Sequence, residues 1–185
     1  MRALNLLVCE PGHSVTTTHG PGSGLEPWKG ATVKIEQDDL SRDEVAEFLR
    51  AHLAEMHEKT PAGSVHALAL EALRQPEVTF WSAWDGTEVI GCAALKEIDR
   101  LHGEIKSMRT APLRRGQGIA SRLLAHLLDE ARRRGYARVS LETGATAEFA
   151  AARSLYARSG FVSTGPFAEY EDDPHSAFMT LALSD

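Results

Sequence analysis

Cysteine is scarce in this 185-residue chain. With only Cys9 and Cys92, a disulfide framework is excluded and a reduced, cytoplasmic setting is the simplest expectation. Cys92 sits in the run Val89-Ile90-Gly91-Cys92-Ala93-Ala94-Leu95, which predicts a buried thiol acting as a small hydrophobe, not a nucleophile. Long apolar runs are missing as well. Nothing approaches the ~20 residues of a membrane span. Leu4 to Cys9 falls short of the ~7–15 apolar residues of a signal peptide before Glu10-Pro11 interrupt it, so a soluble, non-exported chain is expected. Cationic excess is lacking: the net charge is −6, which argues against a generic nucleic-acid or anionic-membrane binder. No metal signature appears either. Among eight histidines, His52 and His57 are five apart instead of four and no carboxylate-histidine pattern surrounds them, so no metal is expected.

What is present is ordinary globular composition, 43% hydrophobic and 25% charged, enough for one domain with a core. Residues 1–30 stand apart. They hold five of the fifteen glycines and three of the eight prolines, plus Thr16 to Thr18, without helical or strand periodicity. They read as a flexible leader, in which Leu4 to Val8 is a candidate edge strand and Trp28 a candidate for packing back onto the domain at 31–185.

From Ala31 the pattern is regular. Thr32 to Glu36 alternates as a half-buried strand. Ser41, with Glu44 three residues on, predicts a capping box opening a helix whose stripe is Val45, Phe48, Leu49, Leu53 and Met56, ended by Pro61-Ala62-Gly63. A shorter helix is expected over Ala67 to Leu73. Val78 to Trp84 and Glu88 to Lys96 read as strands of a hairpin turned by Asp85-Gly86; Trp81 and Trp84 then face opposite ways. Glu104 to Thr110 is a further strand, and Ile119 to Ala131 an amphipathic helix with Gly135 just past its end. Ala137 to Leu141, a helix from Ala147 to Ser159 stopped by Gly160, a strand at Phe161-Val162 and another over Ser176 to Leu183 complete the order. This predicts an α/β (α+β) domain with a mixed sheet of about seven strands and helices on both faces, not a doubly wound parallel sheet.

The most informative segment is Arg114-Arg115-Gly116-Gln117-Gly118-Ile119-Ala120, between a strand and a helix. The first N–H groups of a helix have no carbonyl partner, and the dipole concentrates partial positive charge there. Gly116 and Gly118 let the backbone bend so that these groups converge on an anion, and Arg114 and Arg115 add charge-assisted donors. A pyrophosphate fits such a site. From Lys106 to Arg138 nine cations face only Asp129 and Glu130, although Arg132 to Arg134 also suit a last helical turn. A P-loop would need Lys-Ser or Lys-Thr after the last glycine, and a dinucleotide site three spaced glycines early in a βαβ unit; neither is present.

Arg115 to Ala120 resembles the acetyl-CoA signature of the GNAT (GCN5-related N-acetyltransferase) superfamily, and it follows a strand, Ile105 to Thr110, as in that family. Downstream, Ala152-Arg153-Ser154-Leu155-Tyr156-Ala157-Arg158-Ser159-Gly160-Phe161 is similar to the family's second signature. The resemblance covers roughly residues 31 to 183, and the stretch from Gly165 to Met179 resembles an uncharacterised bacterial subgroup. It implies a GNAT fold, acetyl-CoA as co-substrate, and acetyl transfer to an amine of a small molecule or peptide. Met108, Arg109 and Thr110 would then meet the pantetheine arm, and Arg115, Gly116, Gln117, Gly118, Ile119 and Ala120 the pyrophosphate. Tyr156 would lie by the thioester sulfur. At Phe149 the chain departs from the family, many of whose members carry a cofactor-binding asparagine there. Small members often pair, so a homodimer is a candidate state.

Acyl transfer to an amine needs a base, a stabilised oxyanion and a protonated leaving thiolate. Glu104 is the candidate base, against a solvated strand-end glutamate. Tyr156 is the candidate acid, against a core tyrosine packing its ring. A backbone N–H near Met108 is the candidate oxyanion donor. The acidic run Glu169, Glu171, Asp172, Asp173 reads as a solvated turn ended by Pro174. Two other readings stand beside the enzyme: an acyl-CoA sensor with the same fold, and an unrelated phosphate-binding protein sharing only the glycine turn.

Overall fold

The computed structural model describes residues 33–59 and 70–183. The expected leader, the strand candidate at Leu4 to Val8, Trp28, Cys9 and the helix stop at Pro61-Ala62-Gly63 lie outside the described residues. Within them the elements follow the expected order: β1 (Lys34–Asp38), α1 (Asp43–Lys59), α2 (Leu70–Leu73), β2 (Val78–Asp85), β3 (Glu88–Asp99), β4 (His102–Thr110), α3 (Ile119–Arg133), β5 (Arg138–Gly144), α4 (Ala150–Arg158), β6 (Val162–Thr164) and β7 (Ser176–Ala182). One seven-stranded sheet results, ordered β1-β2-β3-β4-β5-β7-β6. Its neighbours pair antiparallel except β4 and β5, which run parallel because α3 crosses between them.

Two apolar layers flank the sheet. On one face Ile119, Leu123, Leu124, Leu127, Leu128 and Ala131 of α3 join Ile105 and Met108 of β4 and Leu155 and Tyr156 of α4. Leu123 and Leu127 are fully buried, so truncating either to alanine would cost about 2–5 kcal/mol. α3 ends where expected: Gly135 has φ +75° and donates its amide to Arg132 O at 2.8 Å. On the other face Val45 and Leu49 of α1 and Leu73 of α2 pack on Phe80, Trp84, Cys92 and Ala94. Trp81 and Trp84 do fall on opposite faces, each within its own layer. Cys92 is fully buried, its Sγ 3.3 Å from Ser107 O, and burial pushes its thiol up to about 12.

The start of α1 differs from expectation. The helix begins at Asp43, and Ser41 lies outside it, its amide donating to Asp39 Oδ1 at 2.9 Å. Asp38 organises the turn before the helix. Its Oδ1 accepts the Leu40 amide at 2.7 Å, and its Oδ2 accepts Ser82 Oγ and Arg42 Nε, both at 2.9 Å. The Arg42 guanidinium also lies 4.4 Å from the Trp84 ring centroid. A buried carboxylate with this many donors anchors the β1–α1 turn more firmly than a serine cap.

Candidate active site at the parting of β4 and β5

β4 and β5 pair only from His102 with Arg138 to Ile105 with Leu141. Beyond that, β4 runs on to Thr110 and β5 to Gly144 without pairing, so the sheet opens into a wedge. A bulge reinforces the divergence. Cys92 opposes Arg109 and Ala94 opposes Lys106, so Ser107 and Met108 together face Ala93. Ser107 takes φ +51° to make the bulge, an uncommon conformation for a residue with a side chain. Two hydroxyls at the wedge, Thr110 Oγ1 and Thr143 Oγ1, are buried without a hydrogen-bond partner among the described residues.

The turn into α3 leads out of β4. Pro112–Arg114 form one 3-10 turn, followed by Gly116 at φ +76° and Gly118, the N-cap, at φ +80°. No side chain caps the helix. A Cβ added at Gly116 or Gly118 would meet nothing within 4 Å, so these glycines answer to backbone conformation and the loop faces open space. The two arginines differ. Arg114 Nη2 pairs with Glu88 and, at 3.2 Å, with Asp85 of the β2–β3 hairpin. Arg115 is half-buried beside the glycines.

Glu104 and Tyr156 approach the wedge from opposite sides. Tyr156 is fully buried in the α3–α4 layer with Met108 and Ile119, edge-on to Phe161 at 5.6 Å between centroids. Ile105 belongs to that same layer, and strand alternation turns Glu104 to the other face. Glu104 is no solvated strand end: it is 3% exposed and lies inside β4, which starts at His102. Its Oε1 accepts Lys106 Nζ at 2.7 Å and Tyr170 OH at 2.6 Å, and Lys106 Nζ also reaches Tyr170 OH at 2.9 Å. Around them, His102 Nε2 lies 2.8 Å from Ser140 Oγ, and Ser176 Oγ donates to Glu142. Burial holds the Lys106 ammonium below the usual lysine range despite Glu104, and holds the His102 imidazole low. Arg109 is buried as well, 5.6 Å from the Phe48 ring centroid.

His102, Lys106, Ser140, Glu142 and Tyr170 were not singled out by sequence. A signal existed for four of them: polar residues at His102, Glu104 and Lys106, and at Ser140 and Glu142, alternate with Gly103 and Ile105, and with Val139 and Leu141, along their strands. The acidic turn is largely as expected, with Glu169, Glu171 and Asp172 exposed, but Tyr170 within it points inward. Among the described residues no group of three or more His, Cys, Asp or Glu could hold a metal, and no helix is long and apolar enough to cross a membrane.

A mixed sheet parted at its centre, with an uncapped helix start beside the gap, offers an elongated slot with a site for an anion at its mouth. The profile of the Acetyltransferase (GNAT) family matches residues 37–161, and the chain belongs to that family. It is 52% identical over 149 residues to the uncharacterized N-acetyltransferase YsnE of Bacillus subtilis (strain 168), covering 80% of this chain and 99% of that one. Its fold is similar to a protein of Klebsiella pneumoniae described as an acyl-CoA N-acyltransferase, with TM-score 0.67 and 29% identity over 84% of this chain and all of that one. It is also similar in fold to a GNAT family acetyltransferase from Elizabethkingia anophelis solved with acetyl-CoA bound. There the TM-score is 0.61 and identity 20%, covering 82% of this chain and 98% of that one.

Proposed function

We propose that this acetyltransferase works in the bacterial cytoplasm, passing the acetyl group of acetyl-CoA directly to a primary amine of a small molecule or peptide within a ternary complex. The observation that carries the reading is the wedge beyond Ile105 and Leu141, opening next to the uncapped start of α3. Amides at 116–120 and the Arg115 guanidinium suit the diphosphate of coenzyme A, with Gln117 on the same turn. The unpaired edge of β4 from Met108 to Thr110, with the hydroxyls of Thr110 and Thr143, suits the amide-bearing arm.

Each residue then has a step. Glu104, through Oε2, takes a proton from the acceptor ammonium. The freed nitrogen bonds to the acetyl carbonyl carbon, and the N–H of Met108, turned by the bulge, donates to the oxygen as charge develops. The C–S bond breaks, and the Tyr156 hydroxyl protonates the departing sulfur. The adduct nitrogen gives up its surplus proton, which restores the Tyr156 hydroxyl by way of solvent, and Glu104 releases its own proton to solvent. Acid and base on opposite faces suit a reaction in which donor and acceptor enter from opposite sides.

Free-thiol release from acetyl-CoA, followed with a panel of amines, tests the reading. We expect turnover with at least one amine, a loss of about 10²-fold or more in Glu104→Gln and about tenfold or more in Tyr156→Phe. Unchanged turnover in either variant removes that residue from its step. CoA uptake without thiol release from any amine would make the chain a CoA-binding module.

A further inference from the structure

Tyr170 enters the site from residues 165–175, the connection between β6 and β7, beyond residue 161 where the family profile ends. Its ring is wedged edge-on against Phe167 at 5.1 Å and tilted against Phe178 at 5.4 Å, and Phe167 in turn meets His102 at 5.7 Å. Such packing fixes where the hydroxyl lies. Burial, with Glu104 alongside, drives the Tyr170 hydroxyl far above the usual tyrosine range, so it stays neutral and keeps the proton it donates to Glu104.

We propose that Tyr170 is a positioning residue for Glu104: with Lys106 it takes up Oε1 and so turns Oε2 toward the acceptor amine. The inference rests on the reading of Glu104 as base. Two short, charge-assisted bonds converging on one carboxylate oxygen, at 2.6 and 2.7 Å, fix the plane of the group. The Lys106–Tyr170 contact at 2.9 Å closes the triangle and resists rotation of either donor. Without this brace the carboxylate samples orientations that do not face the acceptor, and small misplacements of a reacting group are costly in rate.

Among the described residues, the groups facing Glu104 are few. His102 and Lys106 flank it on β4, and Lys96 lies opposite on β3. Ser140 and Glu142 stand on β5, with Ser176 and Phe178 on β7 and Phe167 and Tyr170 on the covering segment. Of these, Lys106 and Tyr170 bond to Glu104, and Tyr170 can be altered without changing any charge.

The test is a pH titration of the Glu104 side-chain carboxyl by carbon-13 NMR in glutamate-labelled protein, its signal assigned by its absence in Glu104→Gln. In Tyr170→Phe we expect the carboxyl to titrate at a pH higher by about half a unit or more, because a donor to the charged form is gone. Turnover with a panel amine should fall about tenfold, while CoA affinity by calorimetry stays within about twofold. Phe167→Leu, which loosens the ring without removing the hydroxyl, should shift the titration in the same direction by less. Superimposable titrations in the parent and Tyr170→Phe overturn the proposal, even if the variant is less stable. Should Tyr170→Phe not fold, an unshifted titration in Phe167→Leu overturns it. Parental turnover in Glu104→Gln is a separate failure: it removes the base, whatever the titration shows.

Discussion

The ring of Phe149 lies directly against Gly144. A Cβ built on that glycine would sit 2.0 Å from Cδ2 of the ring, far inside any tolerable contact. Gly144 ends β5 at the wedge, and Phe149 is 6% exposed at the 3-10 turn leading into α4. Phe149 is thus a lid of hydrocarbon on the last residue of the strand. Gly144→Ala should therefore destabilise the fold by about 1–3 kcal/mol, seen as a lower urea midpoint at constant slope. In a Phe149→Ala background the same glycine substitution should cost less, since the clash disappears with the ring.

Arg114 and Arg115 are neighbours, but the Arg114 guanidinium is turned to the β2–β3 hairpin, so the two should part company in binding. Arg115→Ala is expected to weaken CoA uptake about tenfold by calorimetry, with a shallower dependence on salt. Arg114→Ala is expected to change it by about twofold or less, because its guanidinium already answers Asp85 and Glu88. Equal losses in the two variants would refute this division.

His102 should leave a mark on acid stability. Burial, and then the charge of Arg138, hold its imidazole below the ordinary value of 6.5. Below pH 6.5 the unfolded chain therefore binds a proton that the folded chain refuses, and stability falls with falling pH until the folded ring titrates too. Urea midpoints at pH 7.5 and 5.5 should differ less in His102→Gln than in the parent.

Local chemistry made much of the fold legible. Asp85-Gly86 announced the hairpin, the stripe from Ile119 to Ala131 announced α3, and Gly135 marked its end, because each depends on neighbours within a turn or two. Where one local rule met a competitor, the reading slipped. Ser41 looked like a cap, but the turn closes on Asp38 and Asp39 and the helix starts at Asp43. β5 runs on to Gly144, past Glu142, because those polar residues are buried by contacts formed far away in sequence.

The site divides along the same line. Its phosphate turn is a continuous string of residues and could be read as one. The brace on Glu104 joins residues 66 apart across a connection with no regular structure, and an isolated tyrosine in an acidic run carries no sign of which strand it will reach. The bulge at Ser107 was equally silent, since serine has no special liking for positive φ.

The wedge also has a mechanical meaning. Among the described residues, four cross-strand pairs stitch the β1–β4 leaf to the β5–β7–β6 leaf, and they all lie at one end. At the other end the leaves meet through side chains instead of backbone rungs, Tyr170 on Glu104 and Lys106 among them. A thin molecule seated between them there would sever no rung of either ladder.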